Sequence, residues 1–244
     1  MNMLSRRARQ FMKLLRLLPN PVFRHGLRSG VGAAIEHRGV IGPMRLETIV
    51  DVGGNVGQFS LLARALHPDA RIFAFEPLPD AAARYRRVFA ADANATLFEA
   101  AISPEAGTAT MHVSASADSS SLLPISERQS ELFPGTQEVG VTDVEAGPLS
   151  DFISVDDLRA PALLKIDVQG FELEVLRGTG DLLAAFEHVY VEASFEALYE
   201  GQALADDVIA HMVAAGFSEV GRHNVSIGPD GTPIQADFLF HREP

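Results

Sequence analysis

Three acids that end expected strands, Asp51, Glu76 and Asp167, set the chemistry open to this sequence. Asp51 leads into flexible backbone, Asp51-Val52-Gly53-Gly54-Asn55-Val56-Gly57. Gly53, Gly54 and Gly57 permit positive φ and let a ligand approach the main chain where a Cβ would obstruct it, with Asn55 inside the same cradle. A dinucleotide turn reads G-x-G-x-x-G, and this one does not. An acid at the strand tip would repel a pyrophosphate and attract a cofactor bearing a sulfonium and an ammonium group; the alternative is that Asp51 caps the turn. Glu76 follows 25 residues later in Phe73-Ala74-Phe75-Glu76-Pro77. A carboxylate there accepts hydrogen bonds from ribose hydroxyls, and Pro77 ends the strand. Ala100 and Ala101 leave room for an adenine ring at the next strand end, or simply pack.

A second group comes later in the chain. Asp167 ends the apolar run 163–168 and is the leading candidate for general base or orienter of an acceptor. Lys165, two residues earlier, shares its strand face and needs a carboxylate partner if buried; the pair could equally be a structural ion pair. Glu192 closes the run 189–193 and is expected to line an acceptor pocket. Glu172 opens a helix, where a capping role is as good a reading as a substrate contact. The histidines, His211 among them, show no ligand-set spacing, and no metal site is assigned.

Positioning these groups takes alternating short apolar runs and helical stretches, the pattern of a parallel sheet built from βαβ units. The expected strands are 48–52, 71–75, 96–102, 163–168, 189–193, 217–222 and 236–241, with an extra one at 108–113. Helices are expected over 57–66, 80–90, 171–176 and 204–215. The fold class is therefore α/β, a Rossmann-like, mostly parallel seven-stranded sheet with helices on both faces and the last strand antiparallel. Residues 114–150, rich in Ser, Gly and Pro, read as a long insertion or mobile lid between strands. Pro19, Pro21, Gly26, Gly30 and Gly32 suggest an irregular connection up to about Pro43, so the domain is expected over 46–244.

With 47% hydrophobic and 21% charged residues, the chain of 244 residues is expected to fold around one core. It has no cysteine, which excludes disulfides and thiolate chemistry. The net charge of −12 is unevenly spread: residues 1–35 carry +7 and the remainder −19, which argues against nucleic acid as a partner of the folded body. Residues 1–20 place Leu4, Phe11, Leu14, Leu15 and Leu18 at near-helical spacing among basic residues. This leader is expected either to pack on the acidic body or to lie on an anionic membrane surface. No secretory signal or apolar span is visible, so the cytoplasm is the expected location, with peripheral membrane contact through the leader. The sequence carries no signal of oligomeric state.

With D-V-G-G-N-V-G, A-F-E-P and the block Lys165-Ile166-Asp167-Val168-Gln169-Gly170-Phe171-Glu172-Leu173-Glu174-Val175-Leu176-Arg177-Gly178, residues 48–217 resemble the FkbM family of methyltransferases. The family commonly has Glu where this chain has Gln169. The resemblance implies S-adenosylmethionine as cofactor and O-methylation of a hydroxyl on a sugar, glycolipid or natural-product acceptor. Such a transfer is an in-line displacement that depends on positioning and on a base for the hydroxyl. The alternatives are a non-catalytic cofactor-binding scaffold of the same fold and an NAD-dependent oxidoreductase.

Overall fold

The computed structural model describes residues 15–243. The leader expected at 1–20 lies mostly outside these residues. Strands β1 (Thr48–Val52), β2 (Arg71–Phe75), β3 (Ala95–Phe98), β7 (Ala162–Ile166), β8 (His188–Ser194), β9 (Ser218–Ile227) and β10 (Pro233–His241) form the expected seven-stranded sheet. Its order is β3-β2-β1-β7-β8-β10-β9, and only β10 runs antiparallel to its neighbours.

Alternation along the central strands divides the core into two layers. Val50, Val52, Leu164, Ile166, Val189 and Val191 face one side, and pack with residues of helices α6 (Glu172–Thr179) and α7 (Ala205–Ala214). Ile49, Ile72 and Leu163 face the other and pack with residues of α1 (Pro21–Arg28), α3 (Gln58–Leu66) and α4 (Pro79–Phe89). Register then places Asp51, Lys165 and Tyr190 in one row on this second face, because Asp51 pairs with Lys165 and Lys165 with Tyr190. That row is the foundation of the site.

Two stretches differ from the sequence reading. The segment expected to be irregular contains α1, a 3-10 turn at Ile35–His37 and the short helix α2 (Arg38–Ile41). Asn20 and Pro21 start α1. The Asn20 side chain accepts from the amides of Val22 at 2.8 Å and Phe23 at 3.4 Å, and Pro21 occupies the first turn, where no amide is needed. Phe23, Val31 and Ile41 are buried against Leu61 and Leu62 of α3.

The single strand expected over 96–102 is interrupted. Phe98 of β3 stacks on Phe75, Glu99 turns outward to pair with Arg86, and β4 (Ala101–Ile102) joins a second sheet of order β4-β6-β5. There β5 (Gly107–Ser114) runs antiparallel to β6 (Glu138–Gly147). Residues 114–150 thus hold β6 and the helix α5 (Glu127–Leu132), capped by Ser126. The first half of β6 is exposed on both faces, Val139 and Val141 included, so the sequence shows no inside-outside alternation there. Among the described residues no helix is long and apolar enough to cross a membrane.

Candidate active site

At the carboxyl ends of β1, β2 and β7 lies a cavity of about 400 Å³, where open α/β sheets receive ligands. Its floor is the glycine turn. The amides of Gly53 and Gly54 both donate to the Phe75 carbonyl, at 3.0 and 2.9 Å, which binds the turn to β2. Gly53 has φ +80°, and a Cβ there would stand 1.8 Å from the Asp167 carbonyl oxygen. Its substitution therefore forces β1 and the loop after β7 apart. Gly53→Ala should lower stability by about 2–4 kcal/mol from left-handed strain plus overpacking, read as a drop in the urea midpoint; an unchanged midpoint would refute this close approach.

Gly53, Gly54 and Asn55 line the cavity, but Gly57 does not. Gly57, at φ +94°, starts α3, and a Cβ there would meet the Phe89 ring at 2.8 Å and the Tyr85 ring at 3.1 Å. Its openness serves helix packing, not the ligand approach expected from the sequence.

Glu76 faces the cavity from the end of β2, with Pro77, Leu78, Ala100, Ala101 and Ile102 continuing the wall. Its Oε2 accepts from the Asn55 amide at 2.9 Å and its Oε1 from the Leu78 amide at 2.8 Å. Burial pushes its carboxyl up to about 7, against the pull of those two amides. Each oxygen keeps a further lone-pair site for a ligand hydroxyl.

Asp51 lies beneath this wall and does not line the cavity. The residue is fully buried: Oδ2 accepts from Ser60 Oγ at 2.7 Å, and that hydroxyl accepts from Tyr85 at 3.1 Å. Oδ1 makes no hydrogen bond and sits 3.4 Å from Lys165 Nζ. Asp51 thus neutralises Lys165 and ties β1 to α3, and Glu76 and Asp167 border the cavity instead. Its side chain points this way because Asp51 belongs to the strand itself, on the face that carries Ile49.

Lys165 and Asp167 come together as expected. Nζ lies 3.4 Å from Asp167 Oδ2 as well as from Asp51, and both residues line the cavity. Burial pulls the lysine pKa down, but Asp167, Asp51 and Asp237 outweigh it and hold it above its ordinary value. Asp167 follows β7 instead of ending it, and its Oδ1 accepts from Gln169 Nε2 at 2.7 Å.

The same amide nitrogen donates to Glu192 Oε2 at 2.9 Å, while Gln169 Oε1 accepts from the Tyr199 hydroxyl at 3.1 Å. One neutral side chain thus bridges two carboxyl groups by donating to both. Glu192 sits within β8, behind Gln169 and outside the cavity wall, with Oε1 accepting from Gln235 at 2.7 Å. The expectation that it lines the pocket is corrected by this intervening amide. Burial, then Asp167 and Asp237, raise its carboxyl well above the ordinary range. Glu172 is also off the cavity, and its Oε1 accepts from the Gly170 amide at 2.9 Å in the loop before α6.

Sequence reasoning missed a third wall. Glu36 and His37, from the 3-10 turn before β1, line the cavity beside Phe59 and Lys165. His37 Nδ1 lies 2.9 Å from the Tyr190 hydroxyl and 3.4 Å from Asp237 Oδ2, and its ring meets Phe59 edge-on at 5.6 Å. No motif or spacing marks His37; only the fold brings it to β8 and β10. Ala117, Asp118, Ser120 and Leu122 close the cavity from the inserted segment.

The Methyltransferase FkbM domain matches residues 51–219. The 2-O-methyltransferase NoeI of Sinorhizobium fredii is 31% identical over 188 residues, covering 74% of this chain and 77% of that protein. The 31-O-demethyl-FK506 methyltransferase FkbM of Streptomyces tacrolimicus is 33% identical over 164 residues, covering 55% of this chain and 60% of that protein. A solved structure of a putative O-methyltransferase from Klebsiella pneumoniae aligns over 91% of this chain and 88% of that one, at 14% identity and a TM-score of 0.47. The oxidoreductase and scaffold alternatives are set aside by the family. Its cofactor is S-adenosylmethionine, and the site fits this group. Gly53 and Gly54 leave the main chain bare at the cavity floor, a buried carboxylate stands where a ribose would lie, and the wall holds acids in place of a phosphate cradle. The chain belongs to the FkbM family of methyltransferases.

Proposed function

We propose that this methyltransferase acts on a hydroxyl oxygen of a small polar acceptor such as a sugar, a glycolipid or a hydroxylated natural product. The observation that carries this reading is the far wall of the cavity, where Lys165, Asp167, Gln169, His37, Asp118 and Ser120 present donors and acceptors of hydrogen bonds. Such a wall orients hydroxyls, whose alignment supplies much of the rate. The names of the two relatives, a 2-O- and a 31-O-demethyl methyltransferase, support an oxygen acceptor.

In this reading Gly53, Gly54 and Asn55 receive the amino-acid end of the donor, Glu76 accepts from its ribose, and Pro77 and Ala101 border its adenine. Bound there, S-adenosylmethionine supplies an electrophilic methyl group on a sulfonium. Asp51 and Gly57 act from behind, by holding the turn and α3 in place. Asp167, held beside Lys165 at 3.4 Å, orients the acceptor hydroxyl, and the segment 114–150 covers it.

The test is incubation with tritiated S-adenosylmethionine and a panel of methyl glycosides, simple alcohols and amines. We expect a tritiated methyl ether of a glycoside, formed in equal amount with S-adenosylhomocysteine. Label confined to amines, or no label in any hydroxyl compound, would overturn the reading.

A further inference from the structure

His37 is held by one edge of its ring. Its Nδ1 faces the Tyr190 hydroxyl at 2.9 Å and Asp237 Oδ2 at 3.4 Å, and the His37 and Asp237 side chains are only 15% and 11% exposed. The Tyr190 hydroxyl donates to Asp237 Oδ2 at 2.8 Å, and Asn224 Nδ2 donates to the same oxygen at 2.7 Å. The tyrosine proton is therefore committed to Asp237, and toward His37 the phenolic oxygen can only accept. Asn224 Nδ2 also lies 3.2 Å from His37 Nδ1 and 3.3 Å from the Tyr190 oxygen; one of its two protons serves Asp237 and the other can go to that phenolic oxygen, so the carboxylate and the committed hydroxyl oxygen call for a proton on Nδ1 and the neutral ring carries its lone pair on Nε2. Among the described residues no hydrogen bond engages Nε2, and His37 lines the cavity.

Asp237 is equipped to keep its charge. Burial would raise its pKa, but hydrogen bonds from His37, Asn224 and Tyr190 bring it below the ordinary range. Asp167, by contrast, already has Lys165 at 3.4 Å on one oxygen and Gln169 donating at 2.7 Å to the other, an arrangement suited to orienting a hydroxyl.

We propose that His37 is the general base for the acceptor hydroxyl, with Asp237 and Tyr190 as the positioning residues that fix its tautomer. This inference rests on the oxygen acceptor proposed above. As the new O–CH3 bond forms, the acceptor's O–H bond breaks and its proton moves to Nε2. The pair of the broken C–S bond stays on the donor's sulfur, the positive charge passes from sulfonium to imidazolium beside Asp237, and the proton then leaves to water. The charged groups facing His37 are Asp237 from β10, Lys165 from β7 across the Phe59 ring, and Glu36 beside it in the chain. Tyr190 from β8 and His223 from β9, whose ring lies 6.3 Å from that of Tyr190, complete the titratable set.

The experiment combines nitrogen-15 NMR of histidine-labelled protein, bound to S-adenosylhomocysteine, with kinetics on the methyl glycosides. Near pH 8 we expect His37 to show a protonated Nδ1 and a bare Nε2. In the wild type, kcat/KM should show an acid limb that falls tenfold per pH unit. In His37→Asn, whose amide takes the place of Nδ1, kcat should drop about 100- to 10,000-fold and this acid limb should vanish, with S-adenosylhomocysteine affinity within about twofold. Asp237→Asn should lower kcat at least about tenfold and disturb the tautomer. A proton on Nε2 overturns the inference whatever the acceptor, and so does wild-type turnover by His37→Asn. Failure of the wild type to methylate any hydroxyl overturns the proposed function instead, and the NMR tautomer still decides the assignment of His37.

Discussion

Replacing Lys165 with Met should cost about 3–5 kcal/mol of folding stability, the range found when one partner of a buried pair is removed. The reason is what remains. Asp51 is fully buried, and without Nζ at 3.4 Å its Oδ1 has neither a hydrogen bond nor a counter-charge; only Ser60 serves the other oxygen. Asp167 loses the same partner but is 38% exposed, so water can replace the ammonium there. The penalty should therefore belong to Asp51, and a double-mutant cycle can show it. Asp51→Asn placed in the Lys165→Met background should recover about 1–3 kcal/mol, measured by urea denaturation at constant m-value. Additivity of the two changes would mean that Lys165 is held by Asp167 alone, and the account of the buried row across β1, β7 and β8 would fall.

How far the sequence predicted this site depends on which kind of information each residue needs. Strands β1 and β2 match the expected bounds because each is a short run that burial makes apolar apart from Thr48 and Asp51 in β1 and Arg71 at the start of β2. The turn was readable from Gly53, whose φ of +80° favours glycine locally. Asp51 and Glu192 were placed on the right strands but at the wrong depth. Their position follows from strand parity and from what stands in front, Lys165 for one and Gln169 for the other, and the second depends on a positive φ of 59° at Gln169 that no propensity announces. His37 was out of reach altogether. Its partners Tyr190 and Asp237 lie 153 and 200 positions away in the chain, and they meet only because β10 inserts beside β8.

Glu76 should make both stability and cofactor affinity depend on pH, in opposite senses. Its carboxyl is pushed from 4.5 to about 7, chiefly by burial, so between those values the native state holds a proton that the unfolded chain has released. Stability from this group is present at low pH and is lost as pH rises toward 7, about 2 kcal/mol between pH 5.5 and 7.5. Glu172, raised to about 7 by burial as well, acts in the same direction. His67, His188 and His211, lowered by burial, act in the other, since their neutral native forms gain as pH rises toward 6.5. The decisive comparison is therefore wild type against Glu76→Gln, in which the histidines and Glu172 cancel. The variant should gain on the wild type by about 2 kcal/mol as pH rises across this window. Ribose hydroxyls donate to the ionised carboxylate, so binding must expel the proton below pH 7. S-adenosylhomocysteine should accordingly bind about tenfold more tightly at pH 8 than at pH 6 to the wild type, and equally at both to Glu76→Gln, by calorimetry. Equal pH dependence in the two proteins would show that Glu76 does not meet the ligand as an anion, and would move the ribose to another wall of the cavity.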